Sequence, residues 1–99
     1  MDKQEKAWCF EKLGVLPYVK WDRFFYVQDD PEVIRVFGWI ERNDQYKDFV
    51  VVELMPGKHR VFFDATSSAK YSEDIAYRLG SDHNRCHKID ELREGSHDA

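Results

Sequence analysis

The chain has 99 residues, 34% of them charged and 42% hydrophobic, with a formal net charge of −4 and an isoelectric point near 5.5. That length makes one domain with a single modest core, and the apolar and aromatic content excludes disorder for most of it. The acidic balance excludes a sequence-blind nucleic-acid binder and a binder of anionic membranes, since both need a broad basic surface.

The two cysteines, Cys9 and Cys86, lie far apart. The opening MDKQEKAW holds no apolar secretory core. No stretch approaches the roughly 18 apolar residues of a membrane span. The expectation is a cytoplasmic protein with reduced thiols.

In chain order, Asp2 can cap a helix over residues 3–13, closed by Gly14 and stopped by Pro17. At about 100° per residue, Ala7, Cys9, Phe10 and Leu13 share one side and Trp8 falls nearly opposite. Trp8 is therefore an exposed aromatic unless a second element covers the helix.

The run Val19–Gln28 predicts a first strand with Val19, Trp21, Phe25 and Val27 on one face and Phe24 and Tyr26 on the other. DDPE, residues 29–32, predicts a turn. Two apolar, β-branched and aromatic runs, VIRVFGWIE and DFVVVEL, flank the polar RNDQYK and predict a hairpin over Val33–Leu54. Ile34, Val36, Ile40, Val50, Val52 and Leu54 would line one face. Val33, Phe37, Trp39, Phe49, Val51 and Met55 would line the other, interrupted by Glu53. A sheet apolar on both sides must be covered on both. Gly38, in mid-strand, predicts a bulge.

Pro56 and Gly57 suit the middle of a type II turn into a fourth strand, His59–Asp64. After a loop, Ala65–Lys70, Ser72 opens a helix lined by Ile75, Ala76 and Leu79 and ended by Gly80. Asp82 can cap a last helix in which Cys86, Ile89 and Leu92 recur, closed by Gly95. The fold class read from this is α+β: a four-stranded antiparallel meander with one N-terminal and two C-terminal helices. It forms one domain over 1–99, with the helix at 3–13, the sheet at 19–64, the helical pair at 71–93 and a tail at 96–99.

The segment EDIAYRLGSDHNRCHKIDELREG resembles a helix-turn-helix, with Gly80 at the turn and Ser81 where that motif usually carries an apolar plug. The resemblance covers about a quarter of the chain. It implies a DNA-binding regulator whose second helix presents His83, Asn84, Arg85, His87 and Lys88 to bases and phosphates. Asp74, Asp82, Asp90, Glu91 and Glu94 crowd the same segment and would repel phosphate. Two amphipathic helices that only cover the sheet give the same pattern.

His83, Cys86 and His87 stand at i, i+3 and i+4, with Cys9 or His97 as a further ligand for Zn²⁺. Cys86 is needed for the apolar stripe, however, and the paired ligand clusters of structural zinc sites are missing from the sequence, so no metal is expected. Among the carboxylates, Glu53 and Asp64 could meet on adjacent strands, but no lysine or histidine is spaced to complete a catalytic site. Ser67 and Ser68 lack a glycine-rich elbow. No cofactor motif occurs.

What the residues favour is a non-catalytic, protein-binding module of the inhibitor or adaptor type, a class that includes proteins of viruses and mobile elements. Its partner would be another protein or a second copy of the chain. Trp8, Trp21, Trp39 and Tyr46 are the expected contacts, because aromatics with a polar tip bury large area with few rotors.

Overall fold

The computed structural model describes residues 1–27, 32–43, 46–66 and 87–93, with only the backbone described at 43, 46 and 63–66. The fold is α+β. Helix α1 (Lys3–Gly14) is followed by strands β1 (Lys20–Tyr26), β2 (Ile34–Asn43) and β3 (Tyr46–Met55). A 3-10 turn (Pro56–Lys58) leads into β4 (Arg60–Thr66), then come a short β5 (His87–Lys88) and the helical turn α2 (Asp90–Arg93). All strand pairings are antiparallel, in the order β4-β3-β2-β1-β5.

The first four strands form the expected meander, because short connections can join only antiparallel neighbours. Strand β5 corrects the expectation of a continuous last helix. Its backbone pairs with the outer edge of β1, Arg23 opposite Lys88 and Phe24 opposite His87. The His87 ring stacks on Phe24 at 5.1 Å and meets Tyr26 edge-on at 5.4 Å. An open strand edge with aromatic neighbours thus outcompetes local helix propensity at these two residues. The helix expected from Ser72, its end at Gly80, the Asp82 cap, Gly95 and the 96–99 tail lie outside the described residues.

Three local expectations also change. The bulge falls in β1, not at Gly38: Trp21 pairs with Gly38 and Arg23 with Phe37, leaving Asp22 as the extra residue. Because one residue is inserted, Trp21 joins the face of Phe24 and Tyr26, and Phe25 turns to the opposite face. The turn after β3 is 3-10 rather than type II. Gly57 has no positive φ, and the left-handed position is His59, at φ 52° and ψ 43°. That conformation costs a non-glycine residue about 1 kcal/mol, partly offset where His59 packs on Trp8, with ring centres 5.6 Å apart. Finally, Ala65 and Thr66 belong to β4 rather than to a loop.

The core lies on one face of the sheet. Cys9 and Leu13 of α1, with Ile89 and Leu92, pack on Phe24, Ile34, Val36, Val50, Val52 and Leu54, all buried. The opposite face carries a smaller cluster in which Phe37 and Val51 are buried beside Phe25 and Phe49. The Phe37 and Phe49 rings stack 5.2 Å apart. Glu53 interrupts this face without being unpaired, since Arg35 Nη2 donates to its Oε2 across the strands at 3.0 Å. Both predicted β2–β3 faces are therefore found, but only one is purely apolar. No helix of the described residues is long and apolar enough to cross a membrane.

Gly38 is where the sheet is tightest. A Cβ there would stand 2.6 Å from the Lys20 carbonyl oxygen, 2.8 Å from Trp21 Cε3 and 2.9 Å from Val19 Cγ1. Gly38→Ala should lower the unfolding free energy by about 2–3 kcal/mol, because backbone cannot yield as a flexible side chain can. Gly14, with nothing within 4 Å of its would-be Cβ, is the control, and Gly14→Ala should raise stability by about 0.5 kcal/mol. Urea unfolding of the two proteins checks both. A Gly38→Ala loss below about 0.5 kcal/mol would contradict the close approach.

Candidate docking groove

Helix α1 begins with a reciprocal capping box. Glu5 N–H donates to Asp2 Oδ1 at 2.8 Å, and Asp2 N–H donates to Glu5 Oε1 at 3.1 Å. Such a cap is worth about 1 kcal/mol and fixes where the helix starts. At the other end the chain descends through two tight turns, Leu16 N–H donating to Leu13 O at 3.2 Å and Val19 N–H to Leu16 O at 3.1 Å. Pro17 cannot continue the helix. This leaves an apolar connector, Val15–Val19, crossing the end of the sheet.

Trp21 locks the connector to the sheet. Its indole Nε1–H donates to the Leu13 carbonyl at 3.1 Å, a second donor on an oxygen that also accepts from Leu16 N–H. Gly38 leaves room for the indole. The adjacent bulge exposes the Asp22 carbonyl, which accepts from Ile89 N–H at 3.4 Å. The segment carrying β5 and α2 is thereby drawn across the end of β1, where Ile89 and Leu92 are buried. Arg93 then lies over the Phe10 ring, 5.5 Å from its centre.

These elements enclose an open groove of about 370 Å³. Leu13, Leu16, Val19, Trp21 and Ile89 supply its apolar lining, and among the described residues Lys20 and Arg93 are the charged ones that border it. On the connector that forms one wall, Val15 is 68% exposed and Tyr18 is 83% exposed, the two most exposed large apolar side chains among the described residues. Lys20 Nζ lies 3.0 Å from Glu41 Oε1. The hydrogen bond and charge of Lys20 hold the Glu41 carboxyl below its ordinary range. A second hollow, of about 220 Å³, is bordered by Glu32, Val33, Met55, Gly57 and Lys58. It is smaller, and its two charges have opposite sign.

The structure disperses the four expected contact residues. Trp21 is in the groove wall. Trp8 is half-buried between His59 and Lys12, whose Nζ stands 5.9 Å from the ring, so the β3–β4 turn covers the second side of α1. Trp39 lies on the opposite face of the sheet with Lys47 Nζ over its ring at 5.0 Å. Tyr46 opens β3, and its side chain is not among those described. Sequence reasoning passed over Val15 and Tyr18. The available signal was VLPYV, an apolar run broken by proline between a helix and a strand.

Of the residues offered for DNA, His83, Asn84 and Arg85 lie outside the described residues. His87 and Lys88 sit on β5 rather than on a helix, and His87 Nδ1 pairs with Glu91 Oε2 at 3.0 Å. Among the zinc candidates, His83, Cys86 and His97 lie outside the described residues, and no cluster of three metal-ligating side chains occurs among those described. The register sets Glu53 opposite Phe62. Ser67 and Ser68 lie outside the described residues. Compared with known proteins, the chain matches no family model, no curated protein and no solved structure.

Cys9 is buried and free, and burial, aided by the Glu5 charge, pushes its thiol up to about 12. A thiol so protonated is a weak nucleophile. Tyr26 is raised in the same direction, by burial first and then by the Glu91 charge. Below their ordinary values both groups are protonated in the folded and unfolded chain, and their contribution to stability is intact. As pH climbs from 9.0 toward about 12 the unfolded chain ionises at Cys9 first, so stability falls across that window. Urea midpoints measured along an alkaline series should decline, and Cys9→Ala should flatten part of the decline. In a Cys86→Ser background, a thiol reagent should label Cys9 only on unfolding. Fast labelling of the folded protein would contradict the burial.

Proposed function

We propose that the chain is a non-catalytic protein-binding module, of the inhibitor or adaptor type, that seats a partner protein in the groove between the end of α1, the Val15–Val19 connector and α2. The observation that carries this reading is an apolar groove walled by Leu16, Val19 and Trp21, together with the exposure of Val15 and Tyr18, 68% and 83%, on the same connector though not in the groove's lining. Single exposed apolar residues are ordinary, whereas an exposed tyrosine beside an unfilled apolar groove matches the composition of interface centres. Burying such a ring against a partner offers about 2 kcal/mol or more at one position.

Support for a non-catalytic role comes from the chemistry of the polar groups. Glu53, Glu41, Asp22, Asp48 and Glu91 are each engaged by Arg35, Lys20, Arg23, Arg42 and His87 respectively. The described cysteine is buried and protonated. Among the described residues, none that borders the groove is a carboxylate, histidine or thiol, the groups general acid–base and nucleophilic catalysis most often use.

The test is affinity capture from native host lysate with three immobilised baits, followed by calorimetry on the captured protein. Wild type and Phe62→Ala, altered on β4 at the far edge of the sheet, should retain the same protein. The double variant Val15→Ala, Tyr18→Ala should lose at least about tenfold in affinity. Equal retention by the double variant removes the groove from the interface.

A further inference from the structure

We draw no further inference here: the strongest candidate, the outer edge of β4, where Val61 and Phe62 are 43% and 47% exposed, is interrupted by a bulge at Asp64, and nothing in the structure shows what covers it.

Discussion

The approach of β1 to Gly38 is the constraint on which the rest of this end of the molecule depends. Where a side chain would be, the Lys20 carbonyl, the Trp21 ring and Val19 already stand. The indole can therefore pack over Gly38 and reach the Leu13 carbonyl, tying the helix end to the strand. One residue further on, the bulge at Asp22 offers the carbonyl that receives Ile89. Helix end, connector and C-terminal segment thus converge on one absent Cβ. Bulges next to functional surfaces commonly re-aim side chains in this way.

The division of labour between the sheet faces follows from that convergence. Both α1 and α2 pack on the face of Ile34, Val36, Val50, Val52 and Leu54, where the buried Cys9, Leu13 and Leu92, with Ile89 just before α2, complete one core. Each such side chain contributes about 1.5–3 kcal/mol relative to exposure, so this face dominates stability. The other face is mixed. Its Phe25, Phe37, Phe49 and Val51 cluster adjoins the Arg35–Glu53 pair, and the Arg35 guanidinium lies 5.8 Å from the Phe25 ring centre. A cross-strand ion pair laid against aromatic rings specifies register, because a slip of one residue would oppose Arg35 to an apolar partner.

Much of this was legible in the residues, and what was not has physical causes. The β2–β3 hairpin was readable because two apolar, β-branched and aromatic runs flank a polar turn, and helix α1 because Asp2, Gly14 and Pro17 are strong start and stop signals. The β1 phase was misread because an inserted residue leaves no mark in composition; Gly38 pointed to the irregularity but not to the strand that carries it. The β5 strand was hidden because Cys86, Ile89 and Leu92 keep a helical spacing, while the open edge of β1 that diverts His87 and Lys88 exists only after folding. At the candidate groove, Trp21 was singled out on aromatic character alone. Val15 and Tyr18 were missed because a connector has no period against which exposure can be judged.

The exposed connector also makes sense of why the groove is not simply filled by the chain itself. Tyr18 is 83% exposed and does not line the groove, while the turns in which Leu16 and Val19 donate to Leu13 and Leu16 hold the connector's backbone. Those bonds, with the Trp21 indole on the Leu13 carbonyl, are each worth about 1 kcal/mol net and more if left unmade in an apolar setting. They hold Leu16, Pro17 and Val19 in place as one wall of the groove. A partner that inserts an apolar side chain gains the burial without breaking any of these bonds.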